Sequence, residues 1–441
     1  MSEPLRLGEK ILSSLREVAD EVAVLVLEID GLMVKLYDGE PSVAQSWRRT
    51  SVGLYVGRSG RLAVLFVDSS DPEEVARAAS ETAREIELLE PSLYGVELPE
   101  PERHEPLRDS FDGRVEEVLS EPKKLVELVF GTARAGESGA SGMVKAGIVR
   151  RALLTSRGFE GEDIRTFFGG YFRIFGEKCS GQWAFTSTKL NEKLLERSLE
   201  RALELSRLAL PRVGVEPGRK TALLSPMVVA NLVNYVAGAA SALAIDLGFS
   251  FLADRSPGDV VASEEFTLID APRNADLPNA ASFDDEGLAT RDKPIIERGT
   301  LRSLLHNFRT AAKRGARSTA NAGWIEPRPW NLEVAPGDWE LEEAVREMRE
   351  GLIVTNNWYT RIQNAIEGSF STVTRDALIY VKSGELAGLI ERARIVDTLP
   401  GLLSKIRGAT VERWPIEWWD ADIPTLCPYL LVEDVGFTTV D

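Results

Sequence analysis

The sequence predicts an α+β protein: an N-terminal mixed α/β region followed by a β-rich C-terminal domain that buries an Ala-rich helix. Three observations carry this expectation. Apolar and polar residues alternate in short runs such as VAVLVLEID (22–30), the period of a half-buried strand. Between such runs lie stretches of helical period, as in 5–21, where Leu5, Ile11, Leu12, Leu15 and Val18 fall on one stripe. The third is 227–248, which is almost wholly apolar but Ala-rich and carries Asn231, Asn234 and Asp246. Ser225 and Pro226 before it and Gly248 at its end punctuate it like a helix inside a fold, not a membrane span.

Taken in order, the helix over 5–21 leads into alternating runs at 22–30 and 32–39. A hairpin follows at 51–68, turning around Gly57, Ser59 and Gly60, and Asp71 and Pro72 then open a helix reaching about Leu89. Pro91, Pro99, Pro101 and Pro106 among charged residues mark a surface linker, with a boundary at 95–112. Beyond it the patterns predict a helix at 122–134, strands within 141–158 and 167–190, and an amphipathic helix at 190–208. A second boundary falls at PRVGVEPGRKT (211–221). The division is therefore 1–100, an N-terminal α/β lobe; 110–212, a middle α/β segment; and 220–441, the C-terminal β-rich domain. In the last, PIIERGTLRSLLHN reads as strand, tight turn at Arg298–Gly299, and strand, leading into a basic helical stretch from Thr310 to Arg317.

Composition narrows the function. The 441 residues are 44% hydrophobic and 27% charged, an ordinary globular balance. Lys+Arg of 52 against Asp+Glu of 69 gives 52 − 69 = −17, a field that repels phosphate backbones and anionic lipid. Neither nucleic acid nor membrane is expected as a partner. Cys179 and Cys427 lie far apart, and no apolar stretch follows a basic N-terminus, which points to the cytoplasm. The two histidines, His104 and His306, have no companion ligands at metal-site spacing; His104 reads as a solvated linker side chain and His306 as an interior one. Nucleophile-elbow, Walker A and dinucleotide-fingerprint motifs are missing from the sequence. SGASG (138–142) has the composition of a loop that could nest an anion, and Trp414, Trp418 and Trp419 are expected in core or interface packing.

The densest constellation is 282–323. Asp284, Asp285 and Glu286 stand in a row before Gly287, a turn composition whose carboxylates are expected to be held by backbone N–H groups or by Arg291, Arg298 and Arg317. FDDEG (283–287), IIERGTL (295–301), AAKRGARSTANAG (311–323) and GLIVTN (351–356), in this order, resemble the signature of the TldD/PmbA (TldE) family. So do the segments 51–79, 155–161 and 368–386, and the resemblance covers most of the chain.

The resemblance implies a family in which the TldD-type chain is a zinc peptidase with His-Glu-x-x-x-His on a helix, and the PmbA/TldE-type chain is its partner without that motif. Aligned on its glycine, NYVAGA (234–239) occupies the motif: Asn234 and Ala239 stand for the histidines, Tyr235 for the glutamate, and Gly238 for the glycine before the second histidine. An amide, a phenol and a methyl cannot replace two imidazoles and a carboxylate in holding Zn²⁺ and activating its water. The reading is thus a catalytically silent TldE/PmbA-like subunit with no cofactor of its own. It would form a heterodimer with a zinc-bearing TldD-type subunit, or a homodimer in isolation, and act on unfolded or extended peptides. Asp284, Asp285, Glu286, Gly287, Ser318, Thr319 and Asn321 are its candidate cavity or interface residues. Two alternatives stand beside it: a free-standing regulatory or binding protein of the gyrase-modulator kind, and a metal-free hydrolase using Asp284, Asp285 or Glu286.

Overall fold

The computed structural model describes residues 2–135 and 139–439. Helix α1 (Glu3–Leu15) is capped by Ser2, whose Oγ accepts from the Leu5 N–H, and buries Leu7, Ile11, Leu12 and Leu15. Strand β1 (Glu21–Tyr37) is one 17-residue strand, where the sequence suggested two runs. Gly31 does not break it: the Trp47 ring lies against it so closely that a Cβ there would meet Cζ2 at 2.3 Å. Strands β2 (Glu40–Arg58) and β3 (Arg61–Val67) form the expected hairpin, with Ser59 and Gly60 both at positive φ as a tight two-residue turn requires. Helix α2 (Pro72–Glu85) starts at an Asp71 cap and places Val75, Ala79 and Ala83 on the sheet.

After the proline-rich stretch come α3 (Gly113–Ser120), α4 (Lys123–Ala135), β4 (Ala140–Thr155), β5 (Glu160–Phe175), β6 (Ser180–Ser187) and α5 (Glu192–Ser206). The SGASG stretch begins outside the described residues at Ser138 and runs into β4 from Ala140. Strand β4 pairs antiparallel with β1, from Ala23 opposite Thr155 to Leu36 opposite Gly142. The strand order is β3-β2-β1-β4-β5-β6, so one six-stranded sheet is continuous across the 95–112 segment.

The C-terminal part holds two further sheets. One orders Thr300–Leu301, Lys293–Glu297, Leu268–Asp270, Leu332–Val334, Ala421–Cys427 and Trp414–Trp418. The other orders Gly351–Asn364, Gly218–Leu224, Leu430–Thr438, Arg394–Thr398, Ser369–Lys382 and Glu385–Ile390. It closes on itself because Gly351–Asn364 also pairs with Ser369–Lys382. Helix α6 (Pro226–Ala239) is wedged among them, touching Ala421–Cys427 and Gly351–Asn364 and buried on nearly every side. The helix expected over 226–248 is interrupted: the Leu305 N–H donates to Ala240 O and the Ala242 N–H to Leu305 O, so a passing loop residue takes over the helix backbone before a short second helix at Ala242–Asp246. No helix is long and apolar enough to cross a membrane among the described residues.

Candidate functional site

The FDDEG segment folds as a closed turn. The Asp284 N–H donates to Leu288 O (2.9 Å) and the Gly287 N–H to Asp284 O (3.2 Å). Gly287 sits at φ +86°, where an added Cβ would lie 2.6 Å from Phe159 Cγ, so glycine is required twice over. All three carboxyl groups are buried. Asp284 Oδ1 accepts from the Glu286 and Leu288 N–H groups (3.0 Å each), and Oδ2 from Ala322 N–H (3.1 Å). Asp285 Oδ1 accepts from Arg151 Nη2 (2.6 Å) and Oδ2 from Arg328 Nη2 (3.1 Å). Glu286 Oε2 accepts from the Phe308 N–H at 2.7 Å.

The carboxylates are held as expected, but by other cations. Arg291 donates to Ser318 O and Arg298 lies 3.9 Å from Glu264, on the exposed side. Arg151 comes instead from β4, 134 residues away in sequence, where it also donates to Phe283 O (3.0 Å) and lies over the Phe283 ring. Burial pushes Asp284 up to about 6 while its three N–H donors pull it back; burial first, then the Asp284 charge, push Glu286 up to about 8. Three N–H donors favour the ionised form at Asp284, and Glu286, with one, is the member more readily kept neutral.

The other candidates bond to segments beside this turn, not to the turn itself. The Ser318 hydroxyl donates to His306 O, Thr319 Oγ1 accepts from the His306 N–H (2.7 Å), and buried Asn321 donates to Asp270 Oδ2 (2.6 Å) and Arg328 O (2.9 Å). His306 is interior, as its apolar run suggested, and burial followed by the Arg314 charge lowers it to about 4. His104 is not a free linker side chain: it packs between the Phe159 and Phe283 rings, 5.4 and 5.0 Å between centroids. Trp414 and Trp418 are core residues, and Trp419 is exposed beside Trp418.

On α6, Asn234 is fully engaged with the strand Ala421–Cys427. Its Nδ2 donates to Thr425 Oγ1 (3.0 Å) and Ile423 O (3.3 Å), and its Oδ1 accepts from the Ile423 N–H (2.9 Å). Tyr235 is half-buried; Ala239 offers only a methyl. These residues do not fit a zinc ion: the one group with a lone pair in ligand position is consumed by a neighbouring backbone. Among the described residues no cluster of three or more His, Cys, Asp or Glu could hold a metal. The end of α6 and the carboxylate network nevertheless converge. Gly238 and Ser241 line a cavity of about 500 Å³ whose other walls include Arg151, Arg165, Arg328 and Trp330.

Sequence reasoning missed the sheet's contribution to this cavity. A signal was present: Arg150 and Arg151 are adjacent in a strand whose side chains alternate, so one of them must face inward, and Asp163 and Arg165 share a face of β5.

Comparison with known proteins agrees with the architecture. A sequence profile described as the PmbA/TldA metallopeptidase C-terminal domain matches residues 217–439, and one for PmbA/TldA metallopeptidase domain 1 matches 22–85. A metalloprotease of Methanocaldococcus jannaschii is 26% identical over 227 residues, 50% of each chain. The metalloprotease PmbA of Escherichia coli O157:H7 is 26% identical over 197 residues, 44% of this chain and 42% of that one. The chain thus spans about half the length, or less, of these curated relatives. The crystal structure of TldE from Thermococcus kodakarensis superposes with a TM-score of 0.86 at 21% identity, covering 98% of this chain and 100% of that one, which establishes a shared fold. With the C-terminal profile alone covering half of its residues, the chain belongs to the PmbA/TldD metallopeptidase family.

Proposed function

We propose that this chain is a catalytically silent TldE/PmbA-like subunit that completes a TldD-type zinc metallopeptidase acting on unfolded or extended peptides. The observation that carries the reading is the state of α6. Where the zinc-bearing family members are expected to place two histidines and a glutamate, this helix has Asn234, Ala239 and Tyr235, and the Asn234 amide is committed to Ile423 and Thr425. The helix is kept, with its polar side chains turned to holding strands. The acidic motif is a poor substitute, because the carboxyl groups of Asp284 and Asp285 are bound by backbone N–H groups and arginines, and Glu286 is buried with one oxygen bound by the Phe308 N–H and the other unpartnered among the described residues. That arrangement favours the partner-subunit reading over a metal-free hydrolase.

The test is elemental analysis of the purified chain together with peptidase assays of the chain alone, a TldD-type subunit alone, and both. Substoichiometric zinc, no cleavage alone and an increased rate in the mixture are expected. A zinc-to-chain ratio near one that survives mild chelation, or peptide cleavage by the chain alone, would overturn the reading.

A further inference from the structure

The cavity at the end of α6 contains two buried donors with nothing to donate to. Arg151 and Arg328 both direct their charge at Asp285. Arg165, on the same face of the N-terminal sheet, has its Nε and Nη1 shut off from solvent and without a hydrogen-bond partner among the described residues. Ser241 Oγ, on the cavity wall just beyond α6, is likewise buried and unpartnered. Buried polar groups are almost always satisfied; Asp163 and Asp285 lend Arg165 a through-space counter-charge, but both are engaged elsewhere and accept no hydrogen bond from it. The absent piece is an acceptor, and the planar fork of an arginine matches a carboxylate.

The rest of the lining narrows the ligand. Glu326 and Asp422 are exposed on the same cavity, so a polyanion would be repelled, whereas one carboxylate on a neutral or cationic body would not. Leu25, Leu27 and Trp330 supply apolar surface for an adjoining side chain. We propose that this cavity binds the C-terminal carboxylate of a peptide, with Arg165 as its anchor and the Ser241 hydroxyl as a second donor. The proposal rests on the peptide-handling reading above and adds to it the end of the peptide that is recognised.

The experiment is calorimetric titration of the full chain with a short unstructured peptide carrying a free C-terminus, with the same peptide as its C-terminal amide, and with an amidated peptide bearing an internal glutamate. The unmodified chain should bind the free acid at least about tenfold more tightly than either amide. Arg165→Gln should abolish the preference and Arg165→Lys should keep part of it; circular dichroism checks that both variants fold. Equal binding of acid and amide by the unmodified chain refutes the proposal whatever the variants do. So does a preference that survives Arg165→Gln, and tight binding of the glutamate peptide would refute C-terminal recognition. Stimulation of a TldD-type partner is measured on the same preparations. If stimulation persists without a preference for the acid, the carboxylate anchor falls and the subunit reading stands; a preference without stimulation means the reverse.

Discussion

Asp285→Ala is the perturbation whose cost the structure fixes best. Arg151 and Asp285 are both buried, their side chains 3% and 6% exposed, and lie 2.6 Å apart. Removing the carboxylate leaves the Arg151 guanidinium with a carbonyl and with Asp163 at 3.9 Å, which is itself engaged with Ser282. Orphaning one member of a buried pair costs about 3–5 kcal/mol. The Arg328 contact adds little, because that side chain is 55% exposed and its attraction is screened. Urea unfolding followed by circular dichroism should therefore show a markedly lower midpoint for Asp285→Ala and a change under about 1 kcal/mol for Arg328→Ala. If the stranded charge is the cause, Arg151→Leu introduced into Asp285→Ala should restore part of the loss, since a buried pair replaced by apolar residues is often nearly neutral. A change for Asp285→Ala within about 0.5 kcal/mol would place the motif in the class of exposed acidic loops and refute the reasoning.

Three further outcomes are expected. Because burial raises Glu286 to about 8 from an ordinary 4.5, the folded state holds a proton that the unfolded chain releases. The associated stability is intact below pH 4.5 and lost as pH rises through 8, and Glu286→Gln should remove that part of the difference between urea midpoints at pH 6 and 8.5. Gly287→Ala forces a side chain into positive φ and against Phe159, and should lower stability by about 2 kcal/mol or more in the same assay. Asn234→Ala strands the Ile423 N–H, while the Thr425 hydroxyl keeps its bond to Ile423 O, at a cost of about 1–3 kcal/mol, whereas the exposed Glu326→Ala should stay within about 0.5 kcal/mol.

What could be read from the sequence was whatever depends on neighbours along the chain. The hairpin at Arg58–Arg61, the capped start of α2, and the tight turn at Asp284–Gly287 are set by residues a few positions apart, and all three stand in the structure. What could not be read depends on distant partners. Gly31 separates two alternating runs in the sequence, yet β1 passes through it under the Trp47 ring, and the pattern over 226–248 is continuous although Leu305 interrupts the helix. Sequence proximity points Asp285 to the arginines of its own segment, yet its nearer cation arrives from β4 through a register in which Arg151 faces Asp163. Sequence proximity ranks candidate ion pairs poorly because the sheet brings together residues more than a hundred positions apart.

The polar residues of α6 explain why a helix without ligand chemistry still occupies the centre of the fold. Asn231 Oδ1 accepts from Asn357 Nδ2 and Thr360 Oγ1 (2.8 Å each), and its Nδ2 donates to Asp420 O. Three residues on, nearly one turn later, Asn234 binds both edges of Ile423. Two amides on one face thus tie the helix to the strand Gly351–Asn364 and to the start and middle of Ala421–Cys427. An amide suits this task because it both donates and accepts, which a charged ligand residue at the same place would not do. Asn231 and Asn234 together make α6 a joint between the two C-terminal sheets. Asn234→His would cost stability, because an imidazole with one donor and one acceptor cannot reproduce the three bonds that Asn234 makes to Ile423 and Thr425.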